Sequence, residues 1–285
     1  MTDLTTPLSI IGAASGLGAP DDRCAAGPQA LQAALQHAPE PALVWQQTVN
    51  AESHGGAAAL DDFLTRLSDS CAAVLRDQPR IAVIGGDHAC AMGTWRGVRR
   101  TLGPVGLVWV DAHLDAHTPQ TSPSGYRHGM PLADLLGQLG SAAVIDARRL
   151  CLVGVRSYEG AERELLQRLG VRVITMDEVG RLGLGAAMDE AVSIAAAGDQ
   201  VYGVSIDLDA LDLADAPAVG SPVVGGIRAA DLLAWLATRA SDPRLRALEV
   251  AEFNPAIDVQ QRTLKLLVQI LKTASGAAHE PDHRT

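Results

Sequence analysis

The chain has 285 residues, 47% of them hydrophobic and 20% charged, and a formal net charge of −10 at pH 7. That size and apolar content suit one large α/β domain or two small ones, with an adequate core. The negative balance argues against the basic footprint of a nucleic-acid binder, and no window approaches the ~18 consecutive apolar residues of a membrane helix.

The four cysteines, Cys24, Cys71, Cys90 and Cys151, show no CxxC pairing and read as buried free thiols of a reducing compartment. The first residues carry neither a basic region nor an apolar run of signal-peptide length. A cytoplasmic protein is expected.

In chain order, Leu8 to Gly12 reads as a short strand that opens into Gly12-Ala13-Ala14-Ser15-Gly16-Leu17-Gly18. This glycine spacing is similar to that of the short-chain dehydrogenases, where such a turn cradles a pyrophosphate. Asp21 and Asp22 at the next helix start would repel a phosphate, however, and no tyrosine is followed four residues later by lysine. A loop beside the active site is the expectation instead. Pro28 to Gln36 reads as a helix with proline in its first turn, Ala42 to Val49 as a strand, and His54 as a solvated loop histidine. Ala57 to Leu75 has the 3.6-residue apolar spacing of a long helix. The apolar strand Ile81 to Ile84 then runs into Gly85-Gly86-Asp87-His88, and the helix Ala91 to Leu102 ends at Gly103-Pro104.

A central strand, Val105 to Val110, ends in Asp111-Ala112-His113-Leu114-Asp115. The polar stretch Thr118 to Gly129 is long for a connection, and such loops are often functional. A helix over Met130 to Leu139 follows, then the strand Leu150 to Val155 leading to Arg156-Ser157-Tyr158-Glu159. Next come a helix (Ala161 to Leu169), a strand (Val171 to Ile174) and a helix (Gly185 to Ala197). The strand Val201 to Ile206 runs into Asp207-Leu208-Asp209. After the loop Leu211 to Gly226 come a helix (Ala229 to Ala240) and the strand Leu245 to Ala251, which delivers Glu252-Phe253-Asn254-Pro255. An uninterrupted helix from Val259 to Thr273 and a mobile polar tail from Ala274 to Thr285 close the chain. Roughly eight strands thus alternate with eight helices, and near-continuous apolar strands are those of a parallel sheet covered on both faces. One α/β domain is expected: a three-layer α/β/α sandwich around a mostly parallel sheet.

In an extended chain, side chains two apart share a face. Asp111, His113 and Asp115 therefore point the same way just where a buried strand ends, the place where open α/β sheets put their ligands. Bare buried charge is very costly, and a cation is the usual remedy. Asp207 and Asp209 repeat the pattern at a second strand end, and His88 follows a third. Two histidines and four aspartates are too many ligands for one ion and suit two ions that share bridging carboxylates.

These stations resemble, in order, the signatures of the ureohydrolases, the arginase and agmatinase superfamily. They are Gly85-Gly86-Asp87-His88-Ala89, Asp111-Ala112-His113-Leu114-Asp115 and Ser205-Ile206-Asp207-Leu208-Asp209-Ala210-Leu211-Asp212. Ala216-Pro217 with Gly220-Ser221-Pro222, and Glu252-Phe253-Asn254-Pro255, continue the pattern. The resemblance runs from about Leu8 to Leu271. It implies an arginase-like fold and two Mn²⁺ ions per subunit. One ion would sit on His88, Asp111, Asp115 and Asp207, the other on His113, Asp111, Asp207 and Asp209, with Asp111 and Asp207 bridging. Ligand type alone also admits Zn²⁺, Co²⁺ or Fe²⁺.

The resemblance further implies a hydroxide held between the ions for attack on a guanidinium carbon. Asp209 would serve the first proton transfer, His128 would be the proton shuttle, and Glu252 would pair with the substrate guanidinium. The Ser-Gly-x-x-His-Gly core of the long loop is similar to that of arginases. By this likeness Ser122 and Ser124 offer hydroxyls to an α-carboxylate and Glu159 receives an α-amino group, while His117 and Tyr126 stand where asparagine is usual. L-Arginine is the expected substrate, cleaved to L-ornithine and urea. Agmatine, guanidinobutyrate or a modified arginine are the alternatives. Outside that class stand a non-catalytic metal-binding regulatory protein and a single-metal amidohydrolase of the deacetylase type. The family also implies a homo-oligomer, trimer or hexamer.

Overall fold

The computed structural model describes residues 7–52 and 56–277, so the loop histidine His54 lies outside the described residues. The strands are β1 (Leu8–Ala14), β2 (Leu43–Asn50), β3 (Ile81–Gly85), β4 (Gly106–Val110), β5 (Leu150–Val155), β6 (Arg172–Thr175), β7 (Tyr202–Asp207) and β8 (Leu245–Ala251). They form one 8-stranded sheet in the order β2-β1-β3-β8-β7-β4-β5-β6. Every pairing within it is parallel. The helices are α1 (Gly27–His37), α2 (Gly56–Asp77), α3 (Ala91–Leu102), α4 (Pro131–Leu135), α5 (Gly160–Leu169), α6 (Met176–Leu182), α7 (Leu184–Ala195), α8 (Ala229–Arg239) and α9 (Arg262–Ser275).

Strand alternation sorts the interior into two layers. Ala82 and Ile84 of β3, Val108 and Val110 of β4, and Cys151 and Val153 of β5 face a layer built with α1, α6, α7, α8 and α9. Their neighbours Ile81, Val83, Leu107, Trp109, Leu150 and Leu152 face the layer of α2, α3, α4 and α5. Two apolar faces need two covers, which is why strands this hydrophobic are flanked on both sides. The two edge strands are less covered: Val44, Gln46, Gln47 and Asn50 of β2 are exposed, and Ile174 is the one fully buried residue of β6. Among the described residues, no helix is long and apolar enough to cross a membrane.

Four local departures from the expected elements have local causes. Helix α6 is an addition. It starts at a capping box in which the Thr175 hydroxyl accepts from the Glu178 N–H while the Glu178 carboxylate accepts from the Thr175 N–H, and at 7 residues it is too short to show a period. Helix α4 stops at Leu135 instead of Leu139, because the Leu135 carbonyl accepts from Val144 and Ile145 and Gly137 turns the chain at φ 75°. The last helix does not run unbroken from Val259. Gln260 and Gln261 adopt left-handed φ of 61° and 56°, and α9 begins only at Arg262, its first amides at Thr263 and Leu264 held by the Asp258 carboxylate. At the other end Ala274 and Ser275 are still helical, not tail, and Gly276 closes the helix at φ 80°.

The topology decides where the chemistry goes. From β3 the chain crosses by α3 to β4, passing over the places that β8 and β7 later fill. The carboxyl ends of β3, β8, β7 and β4 therefore lie side by side at a break in strand order, where open α/β sheets bind ligands.

Candidate metal centre and substrate pocket

The turn after β3 is held from below. Gly86 lies so close to β1's loop that a Cβ there would meet the Ser15 carbonyl oxygen at 1.9 Å. Asp87, fully buried, accepts from the Gly18 N–H at 2.9 Å and from the Ala89 N–H at 2.9 Å. The amide that a phosphate cradle would need is thus committed to a carboxylate, and the Gly18 carbonyl accepts from the His128 N–H at 3.0 Å, so the glycine-rich loop supports the site from behind without lining its pocket. The turn swings His88 inward.

His88 Nδ1 lies 3.3 Å from Asp111 Oδ2, 3.2 Å from Asp115 Oδ2 and 3.1 Å from Asp207 Oδ2. His113 Nδ1 lies 3.5 Å from Asp111 Oδ1 and 3.1 Å from Asp209 Oδ2. The donor atoms therefore fall into two groups, His88-Asp111-Asp115 and Asp111-His113-Asp209, within each of which the atoms lie within 4.8 Å of one another. Asp111 belongs to both. Asp207 joins the first group through His88. The strand itself ends at Val110, and Asp115 reaches the cluster because its backbone is left-handed, at φ 48°. A turn, not continued alternation, brings the three side chains together.

Electrostatics mark the cluster as short of positive charge. Burial, then Asp209 and Asp111 nearby, hold Asp207 well above the ordinary carboxylate range. Burial and Asp111 push Asp209 up to about 7. Burial opposes charging His113, but the carboxylates of Asp111 and Asp209 beside it prevail and push it up to about 12. Among the described residues, His88 Nδ1 and Asp209 Oδ2 are buried with no hydrogen bond of good geometry. Oxygens crowded around an imidazole nitrogen without hydrogen-bond geometry are donors converging on a cation. Carboxylate oxygens with imidazole nitrogens suit Mn²⁺ and neighbouring first-row dications, so the residues present fit a metal centre.

This crowding has a measurable consequence for the protein stripped of metal. Burial and Glu252 push Asp87 up to about 7, Asp209 stands at about 7, and burial pushes Glu162 up to about 8, against ~4 for the same groups in an unfolded chain. Between those limits the native state binds more protons than the unfolded one, so stability falls as pH rises. Thermal melts of chelated protein should give a lower Tm at pH 8 than at pH 5. Added Mn²⁺ should raise Tm more at pH 8, because the ligands must be deprotonated to bind. A metal-free Tm that rises from pH 5 to pH 8 would contradict this account.

The pocket opens over the cluster. Glu252, left-handed at φ 68°, follows β8. Its Oε1 accepts from the His88 N–H at 2.8 Å, and its Oε2 accepts from the Cys24 thiol at 3.4 Å. Left-handed backbone at two acids of the site costs about 1 kcal/mol or more each. His128 Nδ1 stands 3.7 Å from Glu252 Oε1. At the outer end His117 Nε2 lies 3.1 Å from Glu159 Oε2 and 3.4 Å from Glu162 Oε2.

The sequence-derived substrate residues divide here. His117, Ser124, His128 and Glu159 line the pocket. Ser122 and Tyr126 are not among its lining residues: Ser122 Oγ caps the Gly125 amide, and Tyr126 is 41% exposed, edge-on to His128 at 6.2 Å. Glu162 was missed. It is buried, lines the pocket and accepts from the Ala116 and Glu159 amides. Its capping-box spacing from Glu159 was the available signal. Ser221 also lines the pocket; it stands in the Gly220-Ser221-Pro222 station of the resemblance but was not among the expected substrate residues.

Comparison with known proteins identifies the family and the fold. The family model described as "Arginase family" matches residues 6–276. The arginase of Brevibacillus brevis is 38% identical over 202 residues, which cover 68% of this chain and 68% of that protein. The crystal structure of arginase from Bacillus subtilis superposes with a TM-score of 0.87 at 29% identity, covering 96% of this chain and 100% of that one. The formimidoylglutamase of Bacillus subtilis subsp. subtilis str. 168 shares the fold, with a TM-score of 0.82 at 21% identity over 96% of this chain and 87% of that one. With eight parallel strands between two helical layers and an acid–histidine cluster at the break in strand order, the chain belongs to the arginase family, whose members are metal-dependent amidinohydrolases.

Proposed function

We propose that the protein hydrolyses L-arginine to L-ornithine and urea with two Mn²⁺ ions. One ion is assigned to His88, Asp111, Asp115 and Asp207, the other to His113, Asp111, Asp207 and Asp209. The observation that carries the substrate class is a pocket acidic at both ends. Glu252 and the aspartates form the inner end, and Glu159 and Glu162 the outer end, with no lysine or arginine among the lining residues. A guanidinium at one end and an ammonium at the other complement it.

Dications bound there lower the pKa of water toward neutrality, supplying the nucleophile that a guanidinium carbon otherwise lacks. The chain's own residues do the rest. With Oε1 on the His88 amide and Oε2 on the Cys24 thiol, the Glu252 carboxylate is fixed, and its remaining lone pairs hold the planar guanidinium by charge-assisted hydrogen bonds. The carboxylate of Asp209, whose Oδ1 accepts from the Ala112 N–H at 3.3 Å, receives the proton released as the nucleophile forms. His128 Nδ1 gives a proton to the departing amine. Burial disfavours the charged imidazole, but Glu252 beside it more than offsets this and raises His128 above its usual value, which keeps a proton available near neutral pH.

Agmatine is the second reading. It too is cationic at both ends, and with Ser122 outside the pocket, Ser124 is the one serine of the loop that lines it. Urea release from L-arginine, agmatine and 4-guanidinobutyrate, after Mn²⁺ loading and again after chelation, tests both. Chelator-sensitive urea from arginine is the expected result. Activity on agmatine alone would replace arginine as substrate, and turnover of guanidinobutyrate alone would overturn the acidic-pocket argument.

A further inference from the structure

Behind the metal centre lies a carboxylate that the proposed reaction does not use. Glu249, on β8, is fully buried, and the sheet register sets it beside Ser205 of β7. Its Oε2 accepts from the Ser205 hydroxyl at 2.7 Å and from the Trp95 indole N–H at 3.1 Å, and its Oε1 accepts from the Cys90 thiol at 3.6 Å. The arrangement is built into the sheet. A Cβ on Gly203 would come within 2.2 Å of the Trp95 ring, so β7 carries a glycine where the indole must pass. An indole only donates. With three donors aimed at it, Glu249 serves as the terminal acceptor.

Proton accounting then runs outward to the metal centre. The single Ser205 proton is committed to Glu249, so the Ser205 oxygen is left to accept, and the group facing it is His88 Nε2 at 3.0 Å. His88 thereby carries its proton on Nε2 and turns a bare Nδ1 toward Asp111, Asp115 and Asp207. Stacking on Trp109, with centroids 4.1 Å apart and planes 12° from parallel, fixes the plane of the ring. His113 stands differently, with a side chain 28% exposed at the pocket.

We infer that Glu249, acting through Ser205, is a positioning residue that holds His88 as an Nδ1 ligand and so sets the affinity of the His88-side ion separately from that of the His113-side ion. The inference rests on the two-ion reading above. An outer carboxylate that orients a ligating histidine also raises its basicity, and losing such a partner typically weakens metal binding 10–100-fold.

The test is Mn²⁺ titration of stripped wild-type, Ser205→Ala and Glu249→Gln protein by calorimetry, with electron paramagnetic resonance at limiting metal and circular dichroism to confirm folding. Wild type should bind two ions that give a spin-coupled signal. Each variant should keep one ion at near wild-type affinity and bind the other about 10–100-fold more weakly, with an isolated Mn²⁺ signal in place of the coupled one. Ser205→Thr, which keeps the hydroxyl, should restore the pair. Two unchanged affinities, or two that fall together in a folded variant, would overturn the inference. A wild type that binds a single ion would defeat the two-ion reading, while the relay would still stand or fall on whether Ser205→Ala weakens that ion.

Discussion

Replacing Asp111 by asparagine should lower urea production on the order of 10³-fold, about 4 kcal/mol of transition-state stabilisation, and reduce Mn²⁺ content below one ion per chain. Asp111 is the member shared by both donor groups, so its loss strikes both ions at once. Its oxygens are fully employed. Oδ2 accepts from the Trp109 indole at 2.9 Å and Oδ1 from the His113 N–H at 2.7 Å, while the two imidazoles approach at 3.3 and 3.5 Å. Burial opposes its charge, yet the imidazoles of His113 and His88 beside it hold the carboxyl below its usual range. Asparagine has the same shape, but its NH₂ must face either the indole N–H or the His113 amide, two donors with nothing to accept them. Metal content by emission spectrometry and urea assay on folded protein give the answer. A variant with two ions and activity within tenfold of wild type would remove Asp111 from the centre.

Replacing Glu252 by glutamine should cut kcat/KM for the guanidino substrate roughly 10²–10³-fold, the range expected when one partner of a buried, hydrogen-bonded charge pair is neutralised. Mn²⁺ content should stay at the wild-type level, because Glu252 lies outside both donor groups. The amide oxygen can still accept from the His88 N–H, so the turn survives. What is lost is the negative charge opposite a delocalised cation, and an NH₂ now faces the guanidinium. Steady-state kinetics beside metal analysis separate this from a structural effect. Equal loss of metal and activity would make Glu252 a support of the centre instead of a substrate anchor.

The metal-side residues were legible in the sequence because each sits at a strand end with its own signal. His88 follows a Gly-Gly turn, Asp111 and His113 follow an apolar run, and Asp207 and Asp209 follow another. The substrate side was less so. Ser122 and Tyr126 occupy the loop positions where hydroxyl and amide groups were expected, yet the loop uses Ser122 to cap its own turn and leaves Tyr126 at the surface. Loop side chains follow local hydrogen bonds that no period announces. The reverse holds for Glu162, which reads as an ordinary residue of a helix's first turn and becomes a pocket wall only because α5 begins there.

By itself the chain sequence determined the layered α/β architecture, since strands apolar on both faces must be covered twice, and it determined which strand ends carry acids and histidines. Tertiary structure alone decided that β8 and β7 pass between β3 and β4. That choice sets Glu252 against the His88 amide, 164 positions away in the chain, and Glu249 behind His88 through Ser205. Strand order follows from how two helical layers pack onto one twisted sheet, a global balance of buried area. A buried carboxylate such as Glu249 acquires its role only from the donors which that packing brings to it.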